Sequence, residues 1–197
     1  SAYQVAKSIT PTAGYFGAIT RAAANADCGS VVVTPGPTTT PVSSGLGVSV
    51  AFSNPVSATI ISYDGTASHQ AQVLVPFVTV AFTAGPEGAV KVTNLKFTRT
   101  GISSDANLDA TYLYEGDVKL VEGGTISSKV VTFNNAAGIF TVPASTTKYI
   151  TLKGNLNSTA SAGGTIGFNL AAATDVTSNA TVVSGTFPAS GNLMTVA

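Results

Sequence analysis

The sequence predicts an all-β fold: an immunoglobulin-like antiparallel β-sandwich over residues 45–197, preceded by an extended N-terminal arm and linker over residues 1–44. Three observations carry this. The background is Val, Thr, Ser, Ala and Gly, and β-branched residues with short hydroxyl neighbours suit a pleated, half-buried surface. Apolar residues alternate with polar ones at period two in independent segments. Clusters of Gly, Pro, Asn and Asp interrupt those segments at short intervals. The 44% hydrophobic content argues against disorder, and 197 residues are enough to bury a core.

Taken in order, the first twelve residues read as extended, with Tyr3 and Val5 alternating against Gln4 and Ala6. A strict strand puts Tyr3, Val5, Lys7 and Ile9 on one face, with the Lys7 stem along apolar surface and its charge at a rim. The run from Gly14 to Ala24 fits two helical turns with Phe16, Ile19 and Ala23 together, weakened by Gly14 and Gly17. Thr34-Pro35-Gly36-Pro37-Thr38-Thr39-Thr40-Pro41 reads as a polyproline-like spacer and, in a secreted protein, as a site for O-linked sugars. The arm is too short to make a core alone. It packs on a neighbouring subunit or folds back on its own domain.

From Gly45 the pattern is strands. Val48, Val50 and Phe52 alternate with Ser49 and Ala51, and Ile166, Phe168 and Leu170 with Gly167 and Asn169. Between them strands are predicted near 57–63, 71–83, 89–100, 109–115, 117–122, 125–134, 138–142 and 147–155, with a last pair near 179–187 and 191–197. The predicted core is Val48, Val50, Phe52, Val80, Phe82, Leu95, Phe97, Val131, Phe133, Ile150, Leu152, Ile166, Phe168 and Leu170. Two segments change phase. Val73, Val75 and Phe77 give way to Val78, Val80 and Phe82 at Pro76-Phe77, where a bulge would let the strand pass between sheets. Val90 and Val92 give way to Leu95 and Phe97, which calls for a bulge near Thr93-Asn94.

Five stretches carry a resemblance. They are Gly45-Leu46-Gly47-Val48-Ser49-Val50-Ala51, Val92 to Ile102, Thr111-Tyr112-Leu113-Tyr114-Glu115-Gly116, Phe140-Thr141-Val142-Pro143-Ala144 and Phe187 to Val196. Through them residues 45–197 resemble a domain of large predicted surface-layer or cell-surface proteins of candidate-phyla (Patescibacteria-type) bacteria. The resemblance implies a β-sandwich and an extracellular, cell-surface location. It rests on strands and turns and implies no catalytic residue. The arm at 1–44 falls outside it.

Titratable chemistry is scarce. The chain has 9 basic and 9 acidic side chains, one His, one Cys and no Trp, and its 9% charged content compares with about 25% in ordinary globular domains. A Ser-His-Asp site would have to use His69, and no Gly-x-Ser-x-Gly elbow is present. One His and one Cys do not fill a zinc shell. Glu87, Glu115, Asp117 and Glu122 sit at predicted turns as solvating residues, without the aromatic platform a glycosidase site would show. The sequence therefore predicts no enzyme. Net charge zero offers no field for nucleic acid, and no 18-residue apolar run suggests a transmembrane segment.

Asp105-Ala106-Asn107-Leu108-Asp109 places oxygen ligands at alternate positions, as a calcium loop begins. The sixth position is Ala110 and the twelfth Leu120, so calcium is the one candidate cofactor, weighed against a polar turn before a strand. Asn157-Ser158-Thr159 and Asn179-Ala180-Thr181 are glycosylation acceptor sequons. Cys28 has no partner in the chain and either joins another chain in an intermolecular disulfide or is a free thiol in a loop.

The expected function is a structural subunit of an extracellular filament or surface layer, a homo-polymer joined by donation of the arm strand (Tyr3, Val5, Ile9) to a neighbour. The competing expectation is a cell-surface adhesin or carbohydrate-binding module that uses loop residues such as Tyr63 on glycans.

Overall fold

The computed structural model describes residues 45–62 and 71–197, together with Lys7. Tyr3, Val5, Ile9, the expected helical turns at 14–24, Cys28, the Pro/Thr spacer, Tyr63 and His69 lie outside the described residues. The strands are, in chain order, β1 (Leu46–Val50), β2 (Thr59–Ile60), β3 (Val75–Ala84), β4 (Val90–Thr100), β5 (Leu108–Glu115), β6 (Val118–Glu122) and β7 (Val130–Asn134). They continue with β8 (Phe140–Val142), β9 (Thr147–Leu156), β10 (Thr165–Leu170), β11 (Val176–Ser178), β12 (Val183–Gly185), β13 (Ala189–Ser190) and β14 (Met194–Val196). Short 3-10 turns occupy Asp105–Asn107 and Ala173–Asp175.

These strands form a two-sheet β-sandwich. One sheet runs β12-β1-β3-β9-β5-β6, and the other runs β11-β4-β10-β14-β2, with β7 and β8 on β4 and β13 on β10. Pairing is antiparallel except for β1 with β12 and β2 with β14, which are parallel. β3 and β9 make the longest ladder, Val80 opposite Ile150 and Val78 opposite Leu152, so alternate residues of both strands face inward. Leu95, Phe97, Val131, Phe133, Ile166, Phe168 and Leu170 face them from the second sheet, all fully buried. Phe77 of one sheet meets Phe168 of the other edge-on, ring centroids 5.3 Å apart, and Phe82 meets Phe140 at 5.1 Å.

Both expected bulges are present. The β3–β9 register shifts between Pro76 and Val78, which leaves Phe77 and Val78 buried side by side. β3 nonetheless stays in one sheet along its whole length, so the expected passage between sheets does not occur. At the second bulge Asn94 pairs with Thr177 and Val92 with Ser178, which skips Thr93.

Two predicted core residues are corrected: Val50 is 39% exposed and Phe52 fully so. The reason is a turn. Ala51 N–H donates to the Thr79 carbonyl, Asn54 N–H donates back to Ala51, and the Asn54 side chain accepts from Thr79 N–H at 2.9 Å. The strand thus ends at Val50, Ala51 takes the inward position and Phe52 swings to solvent. Strand lengths also shrink at tight connections: 57–63 becomes Thr59–Ile60 and 125–134 becomes Val130–Asn134. In the second case Ser127 and Val130 bridge each other across Ser128 and Lys129, both of positive φ.

Candidate functional site

Among the described residues, one apolar groove lies along a sheet edge. A groove of about 320 Å³ opens between β2 and the start of β3, lined by Pro55, Val56, Ile60, Val75, Pro76 and Met194 among others, with no charged side chain among the described residues that line it. Ile60, Val75 and Met194 are 2% exposed and form its floor, while Val56 stands 77% exposed on its rim. Neighbours in sequence extend the apolar surface: Ile61, Val73, Leu74 and Leu193 are each between 40% and 63% exposed. β2 is the outermost strand of its sheet, so the groove lies along a sheet edge.

Asparagine and glutamine side chains hold the rim. Asn192 Nδ2 donates to the Pro55 carbonyl at 2.7 Å, and Asn155 Oδ1 accepts from Leu74 N–H at 2.9 Å. Gln72 N–H donates to the Ile61 carbonyl, and Gln72 Oε1 accepts from Ile61 N–H at 3.2 Å. Leu74 sits at φ 53, a left-handed conformation that costs a leucine about 1–2 kcal/mol and survives only where the surroundings enforce it. That kink starts β3 at Val75 rather than at 71 and turns Val73 outward. No special residue type announces the groove in the sequence. The usable signal is Val73-Leu74-Val75: three consecutive apolar residues cannot all face one side of a strand.

At the Asp105 motif the carboxylate is held by hydrogen bonds from two other segments. Asp105 Oδ1 accepts from Arg99 Nε at 2.7 Å, and Oδ2 accepts from Lys129 N–H at 2.9 Å. Arg99 follows Leu95 and Phe97 on the inward face of β4 and is 4% exposed, so a guanidinium closes that end of the core. Burial alone would raise the Asp105 carboxyl; the Lys129 N–H and the Arg99 guanidinium outweigh it and hold it below its ordinary value. Asn107 is buried, its carbonyl bonded to Asn157 N–H, and Asp109 is exposed on β5 and accepts from Asn157 Nδ2. Among the described residues no three His, Cys, Asp or Glu side chains group as metal ligands. Beside this motif a cleft of about 430 Å³ is lined by Asp105, Asp109, Thr111, Glu122 and Gly123.

The two sequons differ. Asn157 has its amide engaged by Asp109 and its Oδ1 by Thr159 N–H, and it is half-buried. Asn179 is exposed, and its Oδ1 accepts from Lys91 N–H at 2.7 Å.

A second feature escaped sequence reasoning. On β5, β9 and β6, Tyr112, Tyr114, Tyr149, Lys119 and Lys153 occupy the outer face of the first sheet, opposite the core positions Leu113, Ile150 and Leu152. Tyr112 and Tyr114 meet edge-on at 6.5 Å, Lys153 Nζ lies 4.3 Å from the Tyr114 ring centroid, and Lys119 Nζ lies 5.2 Å from that of Tyr112. The alternation Tyr112-Leu113-Tyr114 was the available signal. No helix among the described residues is long and apolar enough to cross a membrane.

No family model matches the chain, and no curated protein does. Among solved structures it is similar to the seventh type I cohesin of ScaB from Pseudobacteroides cellulosolvens, at 12% identity and TM-score 0.34, over 77% of this chain and 92% of that one. It is also similar to the structure of the sixth cohesin of Acetivibrio cellulolyticus scaffoldin B in complex with a Cel5 dockerin variant, at 13% identity and TM-score 0.29, over 79% of this chain and 99% of that one.

Proposed function

We propose that the protein is a structural subunit of an extracellular filament or surface layer, and that it assembles when residues 1–12 join a neighbouring subunit as an added strand. The observation that carries this reading is the apolar groove along the β2 edge, with the kinked Leu74 beside it and Asn192 bonded to the Pro55 carbonyl on its rim. Surface of that kind is costly to leave in water, which favours a contact with another chain there. An extended apolar segment is the natural occupant, because a groove takes alternate side chains of such a segment while the short β2 edge adds a few backbone partners. Equal numbers of acidic and basic residues leave no net repulsion between copies. The resemblance of residues 45–197 to surface-layer proteins supports the location outside the cell.

Deletion of residues 1–12 tests the reading. The expected result is a folded monomer that no longer forms ordered fibres or sheets in electron micrographs and binds a synthetic peptide of residues 1–12. A deletion variant that assembles like the parent excludes strand donation. The tyrosine face favours a second reading, a glycan-binding adhesin. Its mark would be glycan-array binding by a monomer, lost on Tyr149→Ala, since Tyr149 is 52% exposed there.

A further inference from the structure

Resting on the second of those readings, we infer that the outer face of the first sheet binds an acidic polysaccharide, one sugar ring stacking on Tyr149 and the carboxylate of a nearby sugar meeting Lys153. The first support is the row of rings. Tyr112 and Tyr114 follow each other on the outer face of β5, with centroids 6.5 Å apart. Tyr114 lies opposite Thr151 of β9, and Tyr149 is two residues along β9 from that position. Strand spacing and rise per residue put Tyr149 about 8 Å from Tyr114. The three rings therefore trace a diagonal of about 15 Å across two strands, room for several sugars of one chain. The row is organised before any ligand arrives: Asn155 Nδ2 donates to the Tyr112 hydroxyl at 3.3 Å, and Tyr112 supports Tyr114 edge-on. Tyr149, 52% exposed, presents the most open ring of the three.

The second support is the floor beside the rings. On the β1 side of Tyr149 the paired outward positions are Ser49, Ala81, Thr79 and Thr151, all small or hydroxylated. The Thr79 and Thr151 hydroxyls bond each other at 2.9 Å, and those of Thr83 and Thr147 do so at 2.8 Å. Nothing bulky rises from these positions, so the face is low and rich in hydroxyls. It offers no Val, Leu, Ile or Phe there as the apolar anchor that the centre of a protein–protein contact is built around. A tyrosine ring has an apolar face and a polar tip, which matches the C–H face and the hydroxyl edge of a sugar.

The third support is charge. Lys119 and Glu122 of β6 flank the row, and they pair with each other at 3.8 Å. Lys153 stands 4.3 Å from the Tyr114 ring centroid, and among the described residues no carboxylate forms an ion pair with it. One cation without a counter-charge thus lies over the middle of the row, about 8 Å from the open ring of Tyr149. It suits a chain that carries a carboxylate on some of its sugars. A densely sulfated chain would also press its charges against Glu122.

The test measures the affinity of the full chain for three polymers by titration calorimetry. They are hyaluronan, in which a uronate alternates with a neutral sugar, the same polymer with its carboxylates methyl-esterified, and dextran sulfate. Hyaluronan should bind about three- to fivefold tighter than its ester, the size of one exposed ion pair, and high salt should close that gap. Lys153→Gln should abolish the gap and Lys153→Arg should keep it. Tyr149→Ala should weaken both polymers about tenfold. Lys96→Gln, which removes an exposed lysine of β4 in the other sheet, should change neither affinity. Thermal melts within a few degrees of the parent confirm that the variants are folded. If acid and ester bind alike, the assignment of an acidic ligand is overturned, although a glycan-binding face survives. If Tyr149→Ala binds as the parent does, this face is not the site. If dextran sulfate matches hyaluronan and Lys96→Gln weakens both as much as Lys153→Gln does, only diffuse charge attraction is at work and the site is overturned. If none of the three polymers binds, this inference and the adhesin reading fall together.

Discussion

Removing the Asp105 carboxylate should destabilise the sandwich by about 3 kcal/mol, a large effect for a half-exposed loop residue. Arg99 is 4% exposed, and among the described residues Asp105 is the acidic side chain paired with it, at 2.7 Å. Asp105→Ala would strand the guanidinium in the core, and removing one partner of a buried pair costs about 3–5 kcal/mol. The Asp105 side chain is itself 27% exposed, so water takes up part of the loss and the lower end of that range applies. In a domain of this size, ~3 kcal/mol lowers the melting temperature by roughly 6–12 °C. Asp105→Asn keeps an acceptor for Lys129 N–H and should lose about half as much. The effect has a pH signature. The folded carboxyl sits below its ordinary value, so its stabilisation is present above the unfolded pKa of about 4 and is lost as pH falls through the lower folded value. Denaturant midpoints of the parent and of Asp105→Asn should therefore differ by a constant amount near neutrality and converge below about pH 4. A loss under about 0.5 kcal/mol for Asp105→Ala, or a gap that persists unchanged at low pH, would refute the argument.

Three further outcomes follow from the packing. Phe168→Ala should cost about 3–5 kcal/mol by chemical denaturation, since the ring is fully buried against Phe77; a cost below about half a kilocalorie would remove it from the core. Gly101→Ala, where φ is 89° and a Cβ would come within 2.2 Å of the Thr165 carbonyl oxygen, should cost about 2–4 kcal/mol. Gly116→Ala, with φ 58° and nothing within 4 Å, should cost only ~1 kcal/mol, and equal losses at the two sites would contradict the clash. Melting temperature should be the same in EDTA and in added calcium because both Asp105 oxygens are already engaged; a rise of several degrees with calcium would show that the ion displaces Arg99.

What was legible in the sequence tracks what is local. Residues 89–100 read correctly as a bulged strand, because period-two alternation and its break at Thr93-Asn94 are decided by which side chains the strand itself must bury. Val50 and Phe52 misled for the opposite reason. Their alternation continues smoothly, and what ends it is the side chain of Asn54 reaching across to Thr79 on β3, a contact 25 residues away in sequence. At Asp105-Ala106-Asn107-Leu108-Asp109 the sequence also held a cue to an ion pair. Arg99 continues the inward series Leu95, Phe97, so a buried cation needed a carboxylate nearby, and Asp105 is the one that reaches it.

The groove was hidden because its lining consists of ordinary strand residues, with no residue type that sets it apart in the sequence. How the sheet edges are finished sharpens that point. β6 ends its sheet with Lys119 and Glu122, whose charges discourage another strand from adding there, and β12 is only three residues long, with Gly185 at φ 154 at its end. β2 is shorter still, at two residues, and offers an incoming chain few backbone partners. A strand joining at β2 on hydrogen bonds alone would be weak and unspecific in register, since nothing along so short a ladder prevents a slip. On the proposed reading, the apolar groove beside it would remedy both defects: burial of side chains would provide affinity, and a period-two match to the floor formed by Ile60, Val75 and Met194 would select one register. On the same reading, the edge would set the direction of an incoming segment and the groove would decide which segment it is.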